Sequence, residues 1–208
     1  MSEQKLYRSY GSAGKSMQGK GFQKKFGKTN SRVGASGERI LFNRLRDRNH
    51  GWLRPEIPLF CSLKVPGYDS DIDFVVAYGR KILLIDAKKY KQDGGIFWNF
   101  PGSNIIRHGW TKYRSKHGSG KPITMSKSMI MAKDIISRRF PGYEVEAIVV
   151  FVTDRNLRNS KEPMVRFLTF PGGVKSYNES SAQKFIKKFF RSEKQPSQVE
   201  KTLRKMVQ

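Results

Sequence analysis

The stretch that decides the fold runs from residue 70 to residue 90 and reads SDIDFVVAYGRKILLIDAKKY. It contains two apolar runs, residues 72–77 and residues 81–88, with Tyr78-Gly79-Arg80 between them. Short apolar runs on either side of a glycine-containing turn are typical of a β-hairpin. The stretch therefore predicts two neighbouring antiparallel strands.

Each predicted strand carries an aspartate inside an otherwise apolar run. Alternation puts Asp73 on the face opposite Ile72 and Phe74, and it puts Asp86 and Lys88 on one shared face. A buried carboxylate is costly unless it is paired or bound to a cation. Two aspartates on neighbouring strands can bind one Mg²⁺, and a lysine on the same face can neutralise developing negative charge. The hairpin therefore predicts a metal site.

Structural interpretations of the same residues stay open. Asp86 and Lys88 could form a strand-end ion pair, and Asp73 could cap the hairpin. Asp71 competes with Asp73 for the metal-ligand role, because alternate residues of a strand share a face. The metal site gains weight when these residues are taken together with Glu38 and the charge of the whole chain.

Upstream of the hairpin, apolar residues recur at three and four positions from residue 33 to about residue 48, which predicts a helix. Glu38 lies at the edge of that apolar face, so we expect its carboxylate to lean towards the body of the protein. A strand is predicted between this helix and the hairpin, at residues 59–65.

Downstream, the pattern predicts a second helix that ends before residue 140, a buried strand at residues 145–152 and an edge strand at residues 164–170. A third helix follows, and Ser197 with Glu200 has the spacing of a capping box that begins a short fourth helix. The order of elements predicts an α/β fold with a central mixed sheet flanked by helices and with extra C-terminal helices.

The charge balance excludes several classes of protein. The chain has 208 residues, 41 Lys and Arg against 17 Asp and Glu, and a formal net charge of +24, so its surface should attract polyanions. A hydrophobic content of 37% supports a core and excludes a wholly disordered basic protein. Cys61 is the single cysteine, which excludes an internal disulfide, and the three histidines lack zinc-ligand spacing.

No apolar run approaches the roughly 20 residues that a membrane span needs, and the first residues lack the apolar stretch of a signal peptide. We therefore expect a cytoplasmic, nucleoid-associated protein with no membrane partner.

The basic residues are concentrated in two regions. We predict a flexible basic arm at residues 1–32, a single domain at residues 33–208, a basic loop at residues 94–122 and a C-terminal helical extension at residues 178–208. No acidic residue occurs from Gly94 to Lys133. Basic and aromatic residues interleave there, which predicts contacts with phosphates and unpaired bases. The predicted nucleic-acid-binding residues are Arg107, Trp110, Lys112, Tyr113, Arg114, Lys116, Lys121 and Lys127.

The sequence resembles the nuclease-related domain called NERD, within the PD-(D/E)XK superfamily, in three stretches: GASGER at residues 34–39, SDIDFVV at residues 70–76 and LIDAKKY at residues 84–90. It is similar also to archaeal Holliday-junction resolvases. The resemblance covers residues 33 to about 153, and its specific part ends at residue 90.

The resemblance implies a restriction-endonuclease-like αβββαβ core and Mg²⁺-dependent cleavage of phosphodiester bonds. It implies that Asp73 and Asp86 are metal ligands, that Lys88 is the catalytic lysine and that Glu38 is an accessory acid. Asp86 stands where NERD sequences usually have Glu, and the stretch that begins with Lys121-Pro122 lacks the Asn and Gln of a common family pattern.

The first functional hypothesis is therefore a DNA endonuclease that depends on Mg²⁺ or Mn²⁺ and acts on duplex, branched or single-stranded DNA. A homodimer would suit duplex cleavage. The alternative is a non-catalytic DNA- or RNA-binding protein on the same fold, and a third class is a basic scaffold of ribonucleoprotein particles. A divalent ion between Asp73 and Asp86 would favour the enzyme, whereas a direct ion pair of Asp86 with Lys88 and no metal affinity would favour the binder.

Overall fold

A six-stranded mixed sheet, with helices on both faces, forms the centre of the protein. The computed structural model describes residues 8–14, 28–47, 49–65, 71–89, 95–98, 105–110, 123–124, 128–153, 162, 164–166 and 169–207. The helices are α1 (Lys28–Arg46), α2 (Ser128–Arg139), α3 (Glu179–Phe189) and α4 (Glu200–Arg204). The strands are β1 (Ser9–Tyr10), β2 (Leu59–Lys64), β3 (Asp71–Tyr78), β4 (Lys81–Lys89), β5 (Gly95–Trp98), β6 (Ile105–Trp110), β7 (Ile123–Thr124), β8 (Glu144–Val152), β9 (Met164–Arg166) and β10 (Lys175–Asn178).

The strand order in the main sheet is β1-β2-β3-β4-β8-β10. The three strands β2, β3 and β4 pair antiparallel, whereas β4 with β8 and β8 with β10 pair parallel. The parallel ladder of β4 and β8 runs from Lys81↔Glu144 to Lys89↔Val152. A parallel pair needs a crossover connection, and α2 lies in that connection. The α/β class and the mixed sheet predicted from the sequence are confirmed.

Two apolar layers, one on each face of the sheet, hold the helices in place. Residues of β4 alternate between them: Ile82 lies in the cluster that contains Met129 of α2, and Leu83 lies in the cluster that contains Leu41 of α1. Helix α4 adds to the first cluster and helix α3 to the second. Because both faces of β4 are buried, its sequence is a continuous apolar run and not an alternating one.

The alternation of side chains breaks where β2 and β3 face each other at Ser62 and Asp73. Ser62 has a left-handed backbone, with φ 53°, and the flanking register puts it opposite Asp73. Ile72 packs in the same cluster as Val75, while Phe74 packs in the opposite cluster. The predicted common face of Ile72 and Phe74 is therefore wrong, because the ladder changes face at Asp73.

Part of the predicted N-terminal arm belongs to the sheet. Ser9 and Tyr10 pair in parallel with Leu59 and Phe60, and the ring of Tyr10 stacks on that of Phe60 with centroids 5.3 Å apart. The arm prediction is wrong over residues 8–14, and α1 begins at Lys28, inside the predicted arm. A two-residue strand has no periodicity of its own, so its pairing comes entirely from tertiary contacts.

The predicted basic loop contains two strands. Strands β5 and β6 pair antiparallel in a second sheet whose order is β7-β6-β5-β9. The loop prediction at residues 94–122 is therefore corrected over residues 95–98 and 105–110. The predicted edge strand corresponds to β9, which lies at the edge of this second sheet.

The predicted capping box at α4 does not form. The residue before this helix, Val199, makes no side-chain capping bond, and the Glu200 carboxylate instead accepts hydrogen bonds from Arg8, Tyr10 and Arg204. Bonds from guanidinium groups to a carboxylate are stronger than bonds from a neutral N–H. Glu200 therefore ties the end of the chain to β1.

Within the described residues, no helix is both long enough and apolar enough to cross a bilayer.

The docking of β1 can be tested through Tyr10. Tyr10→Ala removes the stack on Phe60 and the hydroxyl that donates to Glu200. We therefore expect the free energy of unfolding to fall by about 2 kcal/mol. Met131→Ala is the control, because Met131 is 46% exposed on α2, and it should change the unfolding free energy by less than about 0.5 kcal/mol. Equal denaturation midpoints for the two variants would contradict the docking.

Candidate active site

Two aspartates meet where β3 and β4 separate. The paired register of these strands ends at Phe74↔Ile85, and its continuation puts Asp73 opposite Asp86. The backbone N–H of Ala87 donates to Asp73 Oδ2 at 2.8 Å. The carboxylate thus takes a bond that a backbone carbonyl of β3 would otherwise accept, and the strands diverge there.

Asp86 is buried, with 8% of its surface exposed, and its two oxygens have different environments. Lys88 Nζ donates to Oδ1 at 2.7 Å. Oδ2 is buried and has no hydrogen-bond partner among the described residues. The side chain of Lys88 is 34% exposed, so its ammonium group lies at the boundary between the site and solvent. The predicted strand-end ion pair is therefore present, and it uses only one oxygen of Asp86.

Glu38 comes from α1 and is almost fully buried, at 1% exposure. Its Oε2 accepts a hydrogen bond from the backbone N–H of Gly14 at 2.6 Å. Its Oε1 is buried and finds no hydrogen-bond partner in the described part of the chain. The inward orientation predicted for Glu38 is confirmed.

Close contacts with the end of β4 fix the position of α1. A Cβ atom at Gly37 would lie 2.8 Å from Cβ of Lys89, so only glycine permits this approach of helix to strand. Lys89 Nζ also donates to Ser36 Oγ at 3.0 Å. Glu38, the next residue of the helix, is thereby held beside the strand that carries Asp86 and Lys88.

The charges of these side chains act on one another. Burial is the main cause that raises the pKa of Glu38; the hydrogen bond from Gly14 opposes it, and the charge of Asp86 adds to it. Burial also raises the pKa of Asp73 well above its ordinary value of 3.8, and the charges of Asp86 and Glu38 raise it further. Lys88 lowers the pKa of both groups. The charge of Asp71 also raises the pKa of Glu38, so four carboxylates and one ammonium group act on one another here.

Asp71, the competitor for the metal-ligand role, lies at the start of β3 opposite Lys64. Burial raises the pKa of Asp71, and the charge of Lys64 opposes this rise. Because its charge also raises the pKa of Glu38, Asp71 acts on the site from the start of β3 and stays a competitor for the metal-ligand role.

The donor set suits a hard divalent cation. Buried acceptor oxygens without a donor are rare in proteins, and Asp86 Oδ2 and Glu38 Oε1 are two of them. Mg²⁺ prefers carboxylate oxygens, usually takes only one or two of them and keeps several waters. Within the described residues there is no group of three or more His, Cys, Asp or Glu residues arranged to hold a metal ion. The site thus offers the sparse carboxylate set that Mg²⁺ accepts and not a closed cage.

Two of the predicted nucleic-acid-binding residues lie within the described part of the chain. Arg107 and Trp110 lie on β6, of which the structure describes the backbone. The remaining residues of this set lie outside the described residues: Lys112, Tyr113, Arg114, Lys116, Lys121 and Lys127.

A family model described as a nuclease-related domain, NERD, matches residues 33–152, which is more than half of the chain. The chain belongs to the NERD family. The NERD match contains all four predicted catalytic residues, and it ends with β8, the strand that pairs with β4. A search of curated proteins gave no match, and a search of solved structures gave none.

Two groups of the NERD site could not be found from sequence motifs. One is the backbone N–H of Ala87, which carries no side-chain signal. The other is Gly14, which lies 24 residues before Glu38 and outside the NERD match. The glycines of residues 11–14 are the only sequence signal there, and glycine-rich stretches usually indicate turns or linkers.

Repulsion among the buried carboxylates should make the stability of the wild type decrease as the pH rises. The folded state holds the proton of Asp73 more tightly than the unfolded state, so wild-type stability falls as the pH rises from about 3.8 through the raised folded pKa. Asp73→Asn keeps an oxygen that accepts from Ala87 but has no charge. In EDTA we expect this variant to be more stable than wild type at pH 8.

Urea unfolding between pH 4 and pH 8 measures this difference. The stability gap between Asp73→Asn and wild type should narrow as the pH falls and close near pH 4. A wild type that is the more stable protein at pH 8 in EDTA would contradict the buried repulsion.

Proposed function

We propose that this protein is a DNA endonuclease that depends on Mg²⁺ or Mn²⁺ and hydrolyses phosphodiester bonds. The observation that carries the proposal is the convergence of Asp73, Asp86, Lys88 and Glu38 where β3 and β4 separate. Two of these carboxylates keep a buried oxygen without a partner among the described residues. Membership of a nuclease-related family supports the same chemistry.

Asp73 and Asp86 are the residues that would hold the metal. A bound divalent ion supplies Lewis-acid polarisation of the phosphate and lowers the pKa of a bound water. Asp73 is held for this role by the N–H of Ala87, which donates to its Oδ2. Asp86 presents Oδ2, which is buried without a partner among the described residues, because Lys88 bonds only to Oδ1.

Lys88 supplies positive charge next to the scissile phosphate. Its ammonium group is anchored at 2.7 Å from Asp86 and reaches solvent. An ammonium group that is already in position stabilises charge that develops on the phosphate in the transition state. Glu38, on α1, presents Oε1, which has no partner among the described residues and can accept a proton or orient a water.

The charge of the chain supports DNA as the substrate. With a net charge of +24 the chain can neutralise backbone phosphates, and the acid-free stretch from Gly94 to Lys133 follows shortly after β4 in the chain. The strand that carries Asp86 and Lys88 is therefore followed closely by a long stretch whose charged residues are all basic.

One observation favours the alternative of a non-catalytic nucleic-acid-binding protein. The ion pair of Lys88 with Asp86 partly neutralises the site without a metal. If that pair persists in the presence of Mg²⁺, the fold binds nucleic acid through its charge and cuts nothing.

Cleavage assays decide between these functions. Purified protein incubated with plasmid, linear and branched DNA should cut in Mg²⁺ or Mn²⁺ and not in EDTA. Asp86→Asn and Lys88→Ala should each lower the cleavage rate at least about 100-fold while DNA affinity stays within a few-fold of wild type. Asp134→Asn is the matched control, because Asp134 is an exposed aspartate of α2, and it should cut like wild type. Full activity of Asp86→Asn would reject this site.

Metal binding can be measured without DNA. Mn²⁺ at 100 times its dissociation constant should stabilise the wild type by about 2.7 kcal/mol in thermal unfolding, because it binds only the folded state. The double variant Asp73→Asn, Asp86→Asn should show no such gain. Asp71→Asn tests the competing aspartate of the same strand and should keep the full gain. If Asp71→Asn instead loses the stabilisation by Mn²⁺, the metal site lies at the start of β3.

A further inference from the structure

Residues 8–14 lie outside the NERD match, yet they contact the site directly. The contact is the hydrogen bond from the Gly14 N–H to Glu38 Oε2, at 2.6 Å. No other hydrogen bond to this carboxylate is found among the described residues, and its second oxygen is a buried acceptor without a partner there. A segment outside the NERD match thus determines how an acid of the site is held.

The segment is fastened to the elements that carry the site. Leu59 N donates to the carbonyl of Arg8 at 2.9 Å, and Arg46, on the same helix as Glu38, donates to that carbonyl at 2.5 Å. Ser62 Oγ donates to the carbonyl of Ser12 at 3.2 Å. These bonds use backbone atoms of the segment, and they add to the side-chain contacts of Arg8 and Tyr10 with Glu200 and Phe60.

The backbone at Gly14 is built for this contact. Its φ is +79°, and a Cβ atom there would lie 3.1 Å from the carbonyl oxygen of Ala35 in α1. Only glycine combines a left-handed backbone with so close an approach at no steric cost. The approach brings the Gly14 N–H to the middle of α1, where Glu38 can accept its hydrogen bond.

The hydrogen bond from Gly14 fixes the orientation of the Glu38 carboxylate, which the torsions of the side chain alone do not fix. The last torsion of a glutamate is broad, so an unrestrained carboxylate rotates. A bond from an N–H to a charged oxygen is among the stronger hydrogen bonds in proteins. With Oε2 fixed by Gly14, Oε1 is the oxygen that remains for a water, a proton or a ligand.

We propose that the Gly14 N–H positions Glu38 in the site and that residues 8–14 form part of the catalytic unit. The catalytic part of this proposal rests on the proposed nuclease function. Gly14 itself is a positioning residue, since it acts through Glu38 and not on the substrate.

A double-mutant cycle tests this role in the full chain. Gly14→Pro removes the N–H and should lower kcat about 10- to 100-fold with KM for DNA unchanged, as is typical when the partner of a site residue is lost. In the Glu38→Ala background the same change should cost less than about twofold, because the group that it acts through is gone. Equal losses in the two backgrounds would overturn the proposal.

Gly173→Pro is the matched control. Gly173 also has a positive φ, of +74°, and its N–H also donates a hydrogen bond, to the carbonyl of Phe170 in the turn before β10. Its replacement imposes a similar backbone penalty far from Glu38 along the chain. It should leave kcat per folded molecule within twofold of wild type; a loss equal to that of Gly14→Pro would assign the effect to backbone strain and overturn the proposal.

An NMR measurement keeps the test independent of cleavage and of the folding of Gly14→Pro. The amide proton of Gly14 should shift upfield in Glu38→Gln relative to wild type, since a neutral acceptor replaces a charged one, while the amide of Gly173 stays in place. An unmoved Gly14 signal overturns the proposal. If wild type cuts no DNA under any condition, the nuclease function fails, and the Gly14 signal still decides whether this N–H positions Glu38.

Discussion

The bond from the Ala87 N–H to the Asp73 carboxylate is the constraint around which the rest of the site is arranged. A side chain of β3 replaces a backbone carbonyl in the ladder, so the hairpin opens at this point. The opening lies between two aspartates on adjacent strands, and Asp86 keeps an oxygen, Oδ2, without a hydrogen-bond partner among the described residues. Ser62, with its left-handed backbone on β2, changes the face of the neighbouring ladder at the same level.

The site stores electrostatic repulsion that the surrounding sheet must offset. Burial and mutual charge raise the pKa of Asp73 and of Glu38, so the ionised forms are unfavourable without a cation. The offset comes from β4 itself, which is buried from Ile82 to Ala87 and pairs with a strand on each side. A rigid central strand can therefore carry a local arrangement that would be unstable at the edge of a sheet.

The core elements and the four site residues were predictable because their signals are local. Alternating and continuous apolar runs predict β2 to β4 and β8, and an acid inside such a run indicates chemistry. What could not be predicted depends on contacts distant in sequence: the pairing of Tyr10 with Phe60, the bond from Gly14 to Glu38, and the strands within the basic stretch. The capping box at Ser197 failed for the same reason, since two arginines, one of them 192 residues away, compete for Glu200. The resemblance to the NERD family supplied the roles proposed for these residues, whereas the way in which Glu38 is held came only from the structure.

The hydrogen bonds of Arg8, Tyr10 and Arg204 to Glu200 also affect when the site is completed during synthesis. The segment that holds Glu38 is bonded to a residue 192 positions further along the chain, and Lys64 N of β2 donates to the carbonyl of Met206 at 2.8 Å. Ribosomes make the chain from its N-terminus, so β1 emerges long before the partners that secure it. The hairpin with its aspartates can form early, but a growing chain lacks these bonds until residues 200–206 have been made. The segment that bonds Glu38 would thus gain its full support only after residues 200–206 have left the ribosome.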